Sequence, residues 1–556
     1  MRLTGAEILI ECLLEHGVDT IFGYPGGQVL FIYDALYKYQ QKIRHILTAH
    51  EQGAAHAADG YARTTGRAGV CLATSGPGAT NLVTGIATAY MDSTPLIAIT
   101  GNVSTPLLGK DSFQEVDIAG ITMPITKHNF IVKDVRTIAE TVRRAFRIAM
   151  EGRPGPVLID ITKDATASAC EYERRQPQAA ARLTGTITQA SLEKAAELIN
   201  EAKRPFVYGG GGIILSGASE EFKNLVELAD APAGLSTMGL GGLPSSHPNF
   251  TGMIGMHGSK ASNMAITECD LLIAVGARFS ERVVSNVERF APNAKILHID
   301  VDAAEINKNV FTHAYIVGDL KETLARLTPL LREQRRREWR ARAADNLAKY
   351  PVKYVNDDVF KPQYCIHKVG EAVRSRKDII ITTDVGQHQI WACQLIPFER
   401  PRMLATSGGM GTMGFGLGAA IGAAIGNPGK TVINISGDGC FRMNNIELAT
   451  AVEYNARVID IIINNHTLGM VRQWQKLFYG GRFSHTTLNR TTDFAKIAEA
   501  YKALGITAAT QHEFDRALGK ALAVKGPVVI NCEVGPDDNV FPMVSPGAGI
   551  DEVRFN

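Results

Sequence analysis

The stretch TVINISGDGCFRMNNIELATAVEYNARVIDIIINN, residues 431–465, decides the fold of this chain. Thr431 to Ser436 reads as a short buried strand, and Gly437-Asp438-Gly439 breaks it. From Phe441 to Tyr454 apolar or small residues recur at helical spacing, at Met443, Ile446, Leu448, Ala449 and Val452. Val458 to Ile463 is a second apolar strand that stops at Asn464-Asn465. A strand, a crossover helix and a parallel strand bring both strand carboxyl ends to one edge of a sheet. Open α/β sheets bind ligands at that edge, so Asp438 and Asn465 face one point. One carboxylate and one amide carbonyl suit a hard, oxygen-seeking cation such as Mg²⁺, which takes its other ligands from phosphate and water.

Outward from this unit, the chain is too long for one core: 556 residues predict roughly three or four domains. Hydrophobic residues make up 45% and charged residues 21%, the balance of a soluble globular enzyme. A net charge of +2 gives no reason to expect a nucleic-acid or membrane partner. The Arg-rich run Arg332 to Arg342 is interrupted by Glu333, Glu338 and Trp339 and reads as the solvated face of a linker helix. Eight scattered cysteines without a CxxC pair fit a reducing, cytoplasmic compartment. Glu7, Glu11 and Glu15 interrupt the apolar positions near the N-terminus, giving an amphipathic helix rather than a signal peptide. No apolar run reaches membrane-spanning length.

Three α/β blocks follow from the alternation of strands and helices, each with a parallel sheet flanked by helices. Domain boundaries are expected at residues 1–165, 186–345 and 360–556. In the first block Gly69 to Ala73, Leu96 to Thr100 and Pro156 to Thr162 read as strands; a polar linker runs from Tyr172 to Ala181. The second has strands at Pro205 to Tyr208, Asp270 to Val275 and Lys295 to Ile299. A charged helical linker, Leu331 to Lys349, leads to the third. The first and third share a layout, with Ser75-Gly76-Pro77-Gly78 in one where the other has Gly437-Asp438-Gly439.

Other motifs are weaker singly. Gly409-Met-Gly-Thr-Met-Gly414 matches GxGxxG but has no clear strand before it and no acid at the right distance after it, so it reads as a chance match. Gly209 to Gly212, Gly276-Ala277-Arg278 and His298-Ile299-Asp300 each follow or end a strand; together they suit a bound dinucleotide. Glu51 opens a helix of small residues (Gly53, Ala54, Ala55, Ala57, Ala58), which packs closely against something. Its carboxylate is therefore expected to be buried, where a raised pKa lets it hold or pass a proton. Gly386-Gln387-His388-Gln389 follows the strand Ile379 to Thr383 and suits a phosphate as well as a simple polar helix cap. Met413 and Met470 read by default as core residues.

These motifs together are recognisable. Gly437-Asp438-Gly439 with Asn464-Asn465 resembles the metal motif of thiamine-diphosphate enzymes. AHEQGAAHAADGYAR around Glu51, SGPGATN at Ser75 to Asn81, FQEVDIAGITMPITKH from Phe113, GRPGPVLIDITKD from Gly152 and GMVRQWQKLFYGGRFSH from Gly469 narrow it. The chain resembles, from end to end, the large catalytic subunits of the acetohydroxyacid (acetolactate) synthases.

The resemblance implies a thiamine-diphosphate-binding fold in the first and third domains, a central FAD domain, a C-terminal lid and an active site shared between two subunits of a homodimer or homotetramer. Asp438, Asn465 and the Thr467 carbonyl would hold Mg²⁺. Val385, Gly386, Gln387, His388, Gly411, Gly439 and Cys440 would contact thiamine diphosphate, with Met413 bending it; Pro25, Gly76 and Asn81 belong to the pyrimidine side. Glu51 would hydrogen-bond the pyrimidine and promote its imino form. Gln114 and Lys163 are the other catalytic candidates, lining the channel to the cofactor. Arg153, Gly210, His257, Arg278, Asp300 and Asp319 match FAD contacts. Trp474, Met470 and Phe113 would shape the acceptor pocket, and Arg278 would pair the acceptor carboxylate.

The reaction implied is decarboxylation of pyruvate and transfer of the hydroxyethyl unit to a second 2-keto acid. Pyruvate gives 2-acetolactate and 2-ketobutyrate gives 2-aceto-2-hydroxybutyrate, in branched-chain amino-acid (valine and isoleucine) biosynthesis; a small regulatory subunit is a possible partner. Alternatives are an FAD-dependent pyruvate oxidase-like enzyme, a catabolic acetolactate synthase, which Trp474 disfavours, and a non-catalytic cofactor-binding subunit. Three positions depart from the family pattern: Ser280-Glu281 after Arg278-Phe279, where two aspartates are usual; Gly418, where proline is usual; and Cys440, where serine is common.

Overall fold

The computed structural model describes residues 1–488 and 491–555, so Asn556, the end of the third expected domain, lies outside them. Three six-stranded sheets form the molecule, and every ladder within them is parallel. Their inner strands are nearly continuous buried runs, such as TVINISG at Thr431–Gly437 and VIDIIIN at Val458–Asn464, the composition of strands covered on both faces.

Numbered by chain order within each sheet, the first sheet (Thr20–Gly23 to Pro156–Thr162) runs 2-1-3-4-6-5. The third sheet (Ile379–Thr383 to Val528–Glu533) has the same order, 2-1-3-4-6-5. The shared layout seen in the sequence is thus a shared topology. The central sheet (Pro205–Gly209 to Ala314–Val317) differs: its order is 3-2-1-4-5-6, the doubly wound arrangement whose switch point lies between strands 1 and 4. Gly210 and Gly276 sit at that point.

In both outer sheets a helix of small residues follows the second strand: Glu51–Thr65 in the first and Phe415–Gly426 in the third. These two helices pack on each other. The approach is so close that a Cβ at Gly422 would collide with the Ala57 carbonyl, and one at Gly60 with the Ala419 carbonyl. Buried beside them, Arg63 joins the two domains: it pairs with Asp59 and with Asp92 (3.0 Å) and donates to the Thr406 carbonyl (2.9 Å).

Four local expectations need correction. The helix expected over Phe441 to Tyr454 is broken into Asp438–Asn444, a 3-10 turn at Asn445–Glu447 and Leu448–Glu453; Glu447 turns inward there to bind backbone of the first domain, which a continuous helix would prevent. The linker helix begins at Arg337, not Leu331. Arg336 is not on a solvated face: it is buried and donates to the carbonyls of Ala202 (2.9 Å), Ile199 (2.7 Å) and Ala229, capping helix ends whose last carbonyls lack intrahelical partners. The GxGxxG run does follow a strand, though one of two residues, Leu404–Ala405.

Candidate functional site

At the carboxyl edge of the third sheet, strand Thr431–Gly437 leads into helix Asp438–Asn444, and strand Val458–Asn464 ends beside it. Asp438 and Asn465 therefore line one cavity of about 60 Å³, with Gln387, His388, Met413, Gly439, Cys440 and Thr467. Its polar groups are buried and incompletely satisfied. Asp438 Oδ2, Gln387 Oε1 and His388 Nε2 have no hydrogen-bond partner among the described residues. Burial pushes the Asp438 carboxyl up to about 6 and holds the His388 imidazole down at about 3, so His388 is neutral at pH 7.

Unpaired buried polar atoms are costly, and a cation with a phosphate would satisfy these. Helix Gln387–Leu395 adds free N–H groups, since its N-cap, Gly386, offers no side chain. No cluster of three or more His, Cys, Asp or Glu is placed to hold a metal among the described residues. The Asn465 Oδ1 accepts from the Thr467 N–H at 3.2 Å, which orients the amide.

Three residues that sequence reading missed hold this edge. Asp384, fully buried, accepts N–H bonds from Val385 (2.8 Å), Gly414 (2.9 Å) and Gly416 (2.9 Å); burial raises its pKa. Asp92, from the first domain, accepts from the N–H groups of Gly408 (3.1 Å) and Gly409 (2.7 Å). Within the GxGxxG loop, Gly409 and Gly414 thus bind two carboxylates of their own protein. Gln473 accepts from Gln387 Nε2 (2.8 Å) and donates to the Val540 carbonyl (3.1 Å), clamping the C-terminal segment over the site. An acid directly after a strand, as at Asp384, was a readable signal; Asp92 and Gln473 carried none.

A larger cavity of about 1370 Å³ adjoins this one, with Val385, Gly386 and Met470 on both; Trp474, Arg278, His257 and Gly411 also line it. Arg278 has no salt bridge among the described residues, leaving its charge for a ligand. The Arg282 guanidinium lies 5.8 Å from the Trp474 ring centre. His257 approaches the Pro542 carbonyl at 3.2 Å, and burial lowers its pKa to about 4.

A third cavity, about 190 Å³, opens at the switch point of the central sheet and is lined by Arg153, Gly210, Arg278, Asp300 and Asp319. A Cβ at Gly210 would collide with the Gly276 carbonyl. Burial raises Asp300 to about 6. Asp319 caps helix Leu320–Leu327 by accepting from the Glu322 N–H (3.0 Å). Arg153 pairs across the domain boundary with Asp302 (3.1 Å) and Glu305 (2.7 Å).

The remaining candidates sit elsewhere. Glu51 starts helix Glu51–Thr65 and accepts from Asn81 Nδ2 at 3.0 Å; its Oε1 lies 3.2 Å from where a Gly78 Cβ would stand. The SGPGATN run is thus wrapped around the carboxylate. Contrary to expectation the Glu51 side is only half-buried in one chain, because its helix points that end out of the domain. Gly76, at φ 57°, packs against Gln114, while Phe113 is 84% exposed. Pro25 is exposed and Lys163 half-buried. None of Glu51, Pro25, Gly76, Asn81, Phe113, Gln114 or Lys163 lines the three cavities. One chain thus brings together the metal, phosphate and acceptor candidates but not the first-domain set.

Comparison with known proteins places the chain in a family. Residues 3–121 match the thiamine pyrophosphate enzyme N-terminal TPP-binding domain, 192–327 the central domain, and 384–532 the C-terminal TPP-binding domain. The chain is 47% identical to a probable acetolactate synthase large subunit of Methanocaldococcus jannaschii, over 99% of this chain and 95% of that protein. It is 46% identical to an acetolactate synthase of Mycobacterium bovis (100% and 91%) and 45% to the acetolactate synthase large subunit of Corynebacterium glutamicum (100% and 90%). The chain belongs to the thiamine pyrophosphate enzymes and, among them, to the family of acetolactate synthase large subunits. No helix among the described residues is long and apolar enough to cross a membrane.

Proposed function

We propose that this chain is the catalytic subunit of an acetolactate synthase. It joins the hydroxyethyl unit of pyruvate to a second 2-keto acid, releasing CO₂ and giving 2-acetolactate or, with 2-ketobutyrate, 2-aceto-2-hydroxybutyrate. The observation carrying this reading is the buried trio of unpaired atoms on Asp438, Gln387 and His388, in a chain similar along its whole length to acetolactate synthases.

Thiamine diphosphate, when bound, supplies the carbanion chemistry. The chain supplies geometry and proton placement. Asp438, Asn465 and the Thr467 carbonyl would hold Mg²⁺, and Gln387, neutral His388 and the Gly439 and Cys440 amides would hold the diphosphate. Met413, on the wall of the same cavity, would pack against the bound cofactor. Glu51, oriented by Asn81, would hold or pass a proton at the pyrimidine ring of the bound cofactor. Arg278 receives the acceptor carboxylate, with Trp474 and Met470 as the apolar wall that excludes water. Gly210 and Gly276, whose lack of Cβ atoms leaves the backbone open to a pyrophosphate, would hold FAD together with Arg153, Asp300 and Asp319.

The exposed apolar residues Tyr24, Leu47 and Phe113 of the first domain, and Met410, Met443 and Ile446 of the third, support a second copy covering both surfaces. Glu51, Gln114, Lys163 and Phe113 of one chain then face the third domain of the other in a homodimer. A small regulatory subunit is a further partner, since the relatives are named large subunits.

The test is product analysis with pyruvate, Mg²⁺ and thiamine diphosphate, with and without 2-ketobutyrate and FAD. Acetohydroxy acids are expected, with no net flavin reduction. Oxidative products with flavin bleaching at the turnover rate would overturn the assignment in favour of a pyruvate oxidase.

A further inference from the structure

The turn that carries Glu51 is held from outside its own domain. Between strand Arg44–Leu47 and helix Glu51–Thr65, three backbone N–H groups point away from the first sheet. Leu47 donates to the Tyr454 hydroxyl (2.8 Å), Ala49 to Glu447 Oε2 (3.2 Å) and His50 to Glu447 Oε1 (3.0 Å). Both acceptors belong to the third domain of the same chain. Glu447 is 1% exposed, and the Thr450 hydroxyl donates to its Oε2 at 2.6 Å. Contact is tight enough that a Cβ at Gly53 would collide with the Glu447 carboxylate. The Arg44 guanidinium lies 5.4 Å from the Tyr454 ring centre.

Glu447 closes the 3-10 turn that directly follows helix Asp438–Asn444. Asn444 in turn donates to the Gly414 carbonyl (2.5 Å). One short rigid segment therefore runs from the metal carboxylate to the amides preceding Glu51. Charge-assisted bonds from two consecutive N–H groups to one buried carboxylate are strong and directional, and they fix the residue that follows.

We propose that Glu447, assisted by Tyr454, is a positioning residue for Glu51: it sets the position of the proton-handling carboxylate and ties it mechanically to the Asp438 end of the same chain's third domain. This rests on the role given to Glu51 above. Glu447 touches neither substrate nor cofactor. It acts through the turn, and a misplacement of about 1 Å at a reacting group costs up to about a hundredfold.

The experiment compares wild type, Glu447→Gln, Tyr454→Phe and Glu51→Gln by two readouts. The first is amide hydrogen exchange of Ala49 and His50 in the cofactor-free protein. The second is the rate at which the C2 proton of added thiamine diphosphate exchanges in deuterium oxide, with cofactor affinity measured in parallel. Glu447→Gln, which replaces an acceptor oxygen by a donor, is expected to lose amide protection and slow C2-proton exchange about tenfold to a hundredfold, with cofactor affinity unchanged within about threefold. Tyr454→Phe, the gentler change, is expected to shift both readouts in the same direction and by less. Lost protection with unchanged C2-proton exchange would overturn the proposal, as would slowed exchange explained wholly by weaker cofactor binding. If Glu51→Gln leaves C2-proton exchange intact, the role of Glu51 itself falls; if only Glu447→Gln and Tyr454→Phe leave it intact, the positioning alone falls.

Discussion

In the first sheet the third strand runs into Ser75-Gly76-Pro77-Gly78; in the third sheet the equivalent strand runs into Gly437-Asp438-Gly439. The two sheets share the strand order 2-1-3-4-6-5, so these turns occupy matching edges. The first strands end at Tyr24-Pro25 and Asp384-Val385 respectively. One edge is nearly neutral and glycine-lined, suited to a flat uncharged ring. The other buries Asp384, Asp438, Gln387 and His388, suited to a cation and a diphosphate. Topology alone therefore does not allocate function; the residues at the strand ends do. The helices after the second strands pack on each other.

The largest break in this comparison comes from removing the carboxylate assigned the proton at the first edge. Glu51→Gln is expected to lower kcat by about 10²- to 10⁴-fold while thiamine diphosphate affinity, which belongs to the third edge, stays within a few-fold. Steady-state kinetics and cofactor titration read both. Near wild-type turnover would make the two edges equivalent and the assignment wrong.

Next in size is the seam between the two helices. Gly422→Val forces a side chain into the Ala57 backbone and is expected to destabilise the chain by about 1–3 kcal/mol, read as a lower Tm. Gly519→Val, at a helix position with open space around its Cβ site, is the control and should change Tm little.

The smallest effects are opposite pH dependences. In the first domain Glu15 is desolvated, which alone would raise its pKa, but Arg143, Tyr172 and the Arg175 N–H hold it from 4.5 down to about 2. Its contribution is complete above pH 4.5 and lost as pH falls toward 2; after solvent screening it is worth about 1 kcal/mol. In the third domain burial raises Asp460 from 3.8 to about 7, against hydrogen bonds from Ser436 and Asn434. There the folded state binds the extra proton, so stability falls as pH rises from 4 to 7. Glu15→Gln should lessen acid sensitivity in urea titrations, and Asp460→Asn should flatten the neutral limb.

Much of this architecture was legible in the sequence because parallel, doubly covered strands leave unbroken apolar runs ending in glycine and polar turns. Asp438, Asn465 and Gln387 could be placed on one edge from that punctuation alone. What escaped was decided by distant partners. The break at Asn445–Glu447 carries no proline or glycine; it exists because Glu447 finds the amides of Ala49 and His50. Arg336 looked solvated because its three carbonyl acceptors come from helix ends more than a hundred positions earlier. Glu51 was expected to be buried from the small residues of its helix, yet those residues bury the helix body and leave its first residue at the rim.

The most direct measurement of the central claim, that each site needs the first domain of one chain and the third of another, uses two inactive variants. Glu51→Gln and Asp438→Asn chains, co-expressed with different tags and purified as the mixed dimer, are each nearly inactive alone. If sites are shared between chains, the mixed dimer holds one intact site and one doubly altered one, and about half of wild-type acetolactate formation returns. If each site is built within a single chain, both sites carry a lesion and no activity returns, which would contradict the account.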